Sequence, residues 1–229
     1  MEHSLQKFET ELREIRGSLA RMAGLVAGQI EDALRALAAH DVSAARTTIE
    51  RDGDVNRMDI EIEDLCLRVL ALHQPVANDL RLIAAGLKIA TELERIGDRA
   101  VNICEAAIHP AGEQDSIESH AAISEMGALA IAMVRDSIAS FLQSDIALAQ
   151  QVTEKDKEFD ALYSAVLPRL IAFTDQSPEG RAHEAKLAFL SKDLNEISEH
   201  ATNIAELVIF MVEGKEIAHM DMHERRGSK

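Results

Sequence analysis

Tryptophan is absent from the 229 residues, tyrosine occurs once and proline four times. Residues that favour strands are scarce while Ala, Leu, Ile and Glu abound, which excludes a strand-rich fold and predicts an all-α protein. Cysteine occurs twice, at Cys66 and Cys104, each inside a helical pattern. Two such thiols make no disulfide framework; they read as core residues of a protein in a reducing, cytoplasmic compartment. No uninterrupted apolar run is long enough to cross a bilayer, and the charged N-terminus has no apolar signal core, so direct membrane insertion is not expected. Positive charge is also short, with 24 Lys and Arg against 40 Asp and Glu, for a net charge of −16. That sign excludes nucleic-acid binding through phosphate contacts and suits metal cations, basic protein patches or plain solubility. A glycine-rich phosphate loop, an H-E-x-x-H pair and a serine nucleophile elbow are missing, and the chain reads as a non-enzyme.

What is present is helix. At 47% hydrophobic residues the chain is too apolar to be disordered. Leu5, Phe8, Leu12, Ile15, Leu19, Met22 and Val26 recur in steps of three and four, the stripe of a packed helix over about 4–39 with Ser4 as N-cap. Asp41 caps a second helix over 42–72, whose buried stripe is Ile49, Val55, Met58, Ile62, Leu65, Val69 and Leu72. His73-Gln74-Pro75 breaks the pattern, with Pro75 in the first turn of a third helix that runs through Leu80, Ile83, Leu87, Ile89, Leu93, Ile96, Ala100 and Ile103 to about Ile108. His109-Pro110-Ala111-Gly112 is the clearest break in the chain.

The second half repeats the plan. Asp115-Ser116-Ile117-Glu118 resembles a capping box ahead of a fourth helix to about Leu142. A turn at Ser144-Asp145 leads to a fifth helix ending near Phe173, which Pro168 is expected to kink. Ser177-Pro178 opens a sixth, and Gly214 supplies its left-handed cap. Asn102-Ile103-Cys104-Glu105 matches Asn203-Ile204-Ala205-Glu206 at an offset of 203 − 102 = 101 residues. The prediction is six long helices in two tandem antiparallel three-helix bundles, related by internal pseudo-twofold symmetry. The first spans 1–110 and the second 116–214, each with its own core, and 215–229 is a polar tail.

The chemistry lies in acidic rows. Glu94, Asp98 and Asn102 are spaced by four in an apolar helix and so stack on one face. Folding the second and third helices about Pro75 sets Asp52 level with Asp98, and Asn56 level with Glu94. Folding the fifth and sixth about Ser177-Pro178 sets Asp156 level with Glu199, and Asp160 level with Asn195. Clustered carboxylates need compensation, either from a hard or borderline cation such as Fe, Mn, Mg or Ca, or from Arg95, Arg99 and Lys155 nearby. His200 and Asn203 extend the second group, whose Asn195 stands where the first has Glu94, so weaker binding is expected there. Glu216 and His219, and His219 with His223, have ligand spacings, but they fall in the tail, where a solvated role is expected. A carboxylate-bridged metalloenzyme, or a metal or phosphate buffer without partners, are the competing readings.

The run Gln74-Pro75-Val76-Ala77-Asn78-Asp79-Leu80-Arg81, then Leu93-Glu94-Arg95-Ile96-Gly97-Asp98 and Asn102-Ile103, resembles the PhoU family of phosphate-signalling accessory proteins. His200-Ala201-Thr202-Asn203-Ile204-Ala205-Glu206 and Val212-Glu213-Gly214 resemble it again. The resemblance implies a cytoplasmic regulator of the phosphate ABC transporter and of the phosphate regulon. Its implied partners are the transporter's ATPase subunit, the sensor histidine kinase and a second copy in a homodimer. It also implies metal ions, Fe, Zn or others, at acidic motifs that fall on Asp52 and Asn56, Glu94 and Asp98, Asp156 and Asp160, and Asn195 and Glu199. The chain departs from that pattern at Asn56, Asn195 and Glu199.

Overall fold

A computed structural model describes residues 2–108, 117–172 and 177–214. Six helices occupy them: α1 (Glu2–Ala39), α2 (Val42–His73), α3 (Ala77–Ile108), α4 (Ile117–Gln143), α5 (Ile146–Ile171) and α6 (Pro178–Glu213). The break at residues 109–112, the start of the capping box at Asp115 and Ser116, the approach to Phe173, and the tail with Glu216, His219 and His223 lie outside the described residues.

Local chemistry sets most of the helix ends. The Asp41 carboxylate accepts from the Ala44 amide at 3.0 Å, and the Ser177 hydroxyl accepts from the Gly180 amide at 3.0 Å, each satisfying an amide that has no partner within its helix. Gly214 adopts φ 72°, and its N–H closes α6 on the Phe210 carbonyl at 2.8 Å. Three expectations are corrected. Helix α1 begins ahead of Ser4. Pro75 stands in the connection rather than in α3, because Gln74 ends α2 with a left-handed cap and α3 starts at Ala77. Leu72 and Leu80 lie 60% and 44% exposed, outside the buried stripes of their helices. Helix α5 continues through Pro168 to Ile171.

Packing joins the two halves more closely than periodicity implies. Within each half the three helices contact one another, and α1 also packs on α4 and α3 on α6. The buried side chains form one contiguous cluster from Ile15 to Met211, in place of two separate cores. Helix α3 is antiparallel to α6: Asn102 meets Asp193 while Glu92 meets Asn203. Gly127 marks the tight crossing of α4 on α1, where an added Cβ would stand 2.4 Å from Leu34 Cδ1. Gly127→Leu should therefore destabilise the fold by about 1–3 kcal/mol through overpacking, read as a lower thermal midpoint; an unchanged midpoint would mean the two helices can part there without loss.

Candidate carboxylate sites and the central seam

In the first half, Asp52 on α2 faces α3 at the level of Gly97. A Cβ at Gly97 would lie 3.1 Å from Asp52 Oδ1 and 3.4 Å from Gln29 Oε1, so the missing side chain is what admits the carboxylate. Gln29 of α1 donates to Asp52 Oδ1 at 3.5 Å, and Asn56 donates to Oδ2 at 3.1 Å. Burial raises the Asp52 pKa and the nearby Asp98 charge adds to it, against the two amide bonds. Burial likewise raises Glu94, with Asp98, Asp59 and Asp52 adding to the effect and Arg95 opposing it. Asp59 is raised by its own burial and by Glu63. The α2–α3 hairpin thus crowds Asp52, Asp59, Glu94 and Asp98 together. Asp59 and Gln29 escaped sequence reasoning; Gln29 alone left a signal, a polar residue within the apolar stripe of α1.

In the second half, burial raises the Asp156 pKa, the facing Thr202 hydroxyl works against it, and Asp160 and Glu199 add to it. Asn195 donates to Glu199 at 2.7 Å. The side-chain oxygens Oδ1 of Asp156 and of Asn195 are both buried with no hydrogen-bond partner. Asp160 and Glu199 are exposed.

Asn102 and Asn203 do not stand with these carboxylates. They occupy the α3–α6 seam in pseudo-equivalent pairs. Asn102 donates to Asp193 Oδ1 at 3.0 Å and Arg99 lies 3.6 Å from the same oxygen. At the symmetry-related place Asn203 donates to Glu92 Oε2 at 3.1 Å and His200 Nδ1 lies 2.6 Å from that oxygen. Glu92 and Asp193, Arg99 and His200, and the two asparagines are each 101 residues apart (193 − 92, 200 − 99, 203 − 102). His200 therefore serves the seam and not the second acidic group. Burial pushes Glu92 up, but the His200 and Asn203 bonds and the His200 charge outweigh it and hold the carboxyl below its usual range.

The basic residues beside the acidic rows are largely engaged elsewhere. Arg99 pairs with Asp193 and, at 3.0 Å, with Glu196, while Lys155 lies 2.5 Å from Asp136. Arg95 is the basic side chain that opposes the rise at Glu94. By chemical type, carboxylate and amide oxygens are the donors that a hard cation takes. As the side chains stand, no three His, Cys, Asp or Glu groups among the described residues converge closely enough to hold a metal ion. Among the described residues, no helix is long and apolar enough to cross a membrane.

Two three-helix units in tandem, joined by a polar seam and each carrying an acidic hairpin, define a duplicated helical-bundle scaffold. The family model for the PhoU domain matches residues 19–107 and again 123–208. The chain belongs to the PhoU family. It is 36% identical over 220 residues to a Pseudomonas putida protein described as a phosphate-specific transport system accessory protein PhoU homolog, covering 96% of this chain and 86% of that one. It is 31% identical over 223 residues to the Escherichia coli accessory protein PhoU, covering 95% and 90%. The crystal structure of PhoU from Pseudomonas aeruginosa superposes with a TM-score of 0.86 at 35% identity, over 91% of this chain and 100% of that chain. That of the phosphate transport system regulatory protein PhoU from Streptococcus pneumoniae gives 0.84 at 27% identity, over 92% and 99%.

Proposed function

We propose that this chain is a non-enzymatic adaptor that modulates phosphate uptake and represses the phosphate regulon, working in the cytoplasm as a homodimer. Its partners are the ATPase subunit of the phosphate ABC transporter and the phosphate sensor histidine kinase. The observation that carries the reading is the similarity, over nearly the whole of both chains, to proteins described as phosphate-specific transport system accessory proteins. The chemistry accords with it, because the notable groups are carboxylates on helix faces, suited to cations and basic protein surfaces. An adaptor of this kind sets kinase output through its differential affinity for the transporter's states.

Asp52, Asp59, Glu94 and Asp98 would hold a cation in the first half, and Asp156, Asp160, Asn195 and Glu199 in the second. Fe, Zn, Mn, Mg and Ca are the candidate ions. Bound there, the ion supplies the positive charge that lets carboxylates from two helices stand together. Deletion of the gene should derepress phosphate-starvation genes in phosphate-replete medium, measured by transcript levels; unchanged expression would overturn the reading.

A further inference from the structure

The first acidic hairpin borders a polar notch that its repeat lacks. Gln29 of α1 is 5% exposed. Its Nε2 donates to Asp52 Oδ1 at 3.5 Å, while its Oε1 is buried with no hydrogen-bond partner among the described residues. Gly97 of α3 faces both side chains: a Cβ there would stand 3.1 Å from Asp52 Oδ1 and 3.4 Å from Gln29 Oε1. Two oxygens from two helices thus border the notch left over the backbone of a third. In the second half the matching positions are Met133 for Gln29 (133 − 29 = 104), Asp156 for Asp52 (156 − 52 = 104) and Ser198 for Gly97 (198 − 97 = 101). Met133 and Ser198 have no solvent exposure, and the Ser198 hydroxyl turns back to donate to the Asn195 carbonyl at 2.8 Å. A thioether replaces the amide there, and a side chain takes the place of the notch. The carboxylate is common to both halves; of the two, the first alone sets an amide oxygen and open space beside it.

The charge around the notch indicates its occupant. Asp52 Oδ1 and Gln29 Oε1 are both acceptors, so a group between them must donate twice or carry positive charge. Asp98 adds its charge to that of Asp52, and Glu94 feels both carboxylates. A buried amide oxygen without a partner is costly, and water would satisfy it without answering that negative charge. We propose that Gln29 Oε1 is an inner ligand of the first site, joining Asp52 Oδ1 on a hard divalent cation of the Mg²⁺ or Mn²⁺ class, with water and the Asp98 carboxylate on the outer side. Amide and carboxylate oxygens are the donors such ions take. No three His, Cys, Asp or Glu groups among the described residues converge on a metal, and the amide supplies a donor outside that set. The cation then ties α1 to the α2–α3 hairpin. In the second half Met133 offers no oxygen, which gives the weaker binding expected there a cause. The role of Gln29 rests on the first acidic group holding a cation, and it adds the class of ion and a ligand from a third helix.

The test uses the full chain carrying Asp156→Asn and Glu199→Gln, which silence the second group, and Mn²⁺ as the probe, with binding followed by electron paramagnetic resonance. Gln29→Met installs the residue of the second half at nearly constant volume and should weaken Mn²⁺ binding at least tenfold. Gly97→Ala should do likewise by filling the notch. Gln29→Glu keeps an oxygen and removes the Nε2 donor, so it should bind Mn²⁺ at least as tightly as the parent. A role confined to the hydrogen bond from Nε2 would instead weaken Gln29→Glu as much as Gln29→Met, and that result would overturn the proposal. Unchanged affinity in Gln29→Met would also overturn it and leave the notch to water, while the cation stayed with the carboxylates. Absence of Mn²⁺ binding in the parent would remove the cation from the first group and the role of Gln29 with it.

Discussion

Phe141→Ala is expected to lower the unfolding free energy by about 3–5 kcal/mol, the range for truncating a buried aromatic ring. The ring has no solvent exposure. It lies near the end of α4, and α1 reaches it through Arg16, whose guanidinium stands 5.5 Å from the ring centroid and donates to the Phe141 and Leu142 carbonyls at 3.3 Å. Truncation leaves a cavity and removes the ring that Arg16 covers. Because the buried residues form one cluster, the loss should be felt by both halves. Urea unfolding followed by far-UV circular dichroism, which sees every helix, and by Tyr163 fluorescence, which sees only the second half, should shift by the same midpoint. Midpoints that separate would mean that each bundle keeps a core of its own.

A divalent cation such as Mn²⁺ is expected to stabilise the chain by about 2.7 kcal/mol when free ion reaches a hundred times its dissociation constant. In Glu94→Gln/Asp98→Asn the response should fall to what the second-half group supplies; equal responses in the two proteins would remove the metal assignment of the first half. The pH dependence without metal has a definite sign. Asp52, Asp59, Glu94 and Asp156 have raised folded pKa values. Each therefore contributes stability that is complete below its unfolded pKa, about 3.9–4.3, and is lost as pH rises through the higher folded value. Glu92 runs oppositely, contributing stability above its unfolded pKa that is lost as pH falls through its lowered folded value. As pH falls from neutral toward the unfolded carboxylate range of about 4, the raised groups take up their protons first and govern. In chelator the thermal midpoint should climb on acidification across that window, and climb less in Glu94→Gln/Asp98→Asn. A falling midpoint in both proteins would show that the crowding is relieved some other way.

How much of this could be read in advance followed the range of each interaction. Caps at Asp41, Ser177 and Gly214 are set within a few residues of chain, so their sequence signals hold. Asn102 misled because spacing by four was treated as a straight row. At 3.6 residues per turn each step of four drifts about 40° around the helix, and two steps drift about 80°. Glu94 accordingly turns toward α2, while Asn102 has rotated onto α6. Asp59 lacked a counterpart in the second half, where the matching position, 104 residues on (163 − 59), is Tyr163, so the repeat could not reveal it. The shared core was hidden for another reason: periodicity tells which face is buried, not whether the covering helix belongs to the same repeat.

Cys66 and Cys104 lie on α2 and α3, both without solvent exposure, and burial pushes their thiols up to about 12 and about 11. Only the thiolate attacks an alkylating reagent. The sulfurs therefore stay inert while the first hairpin is closed, and their labelling rate in native buffer counts its openings. Without any engineered probe, the chain times the separation of the two helices that carry its acidic row.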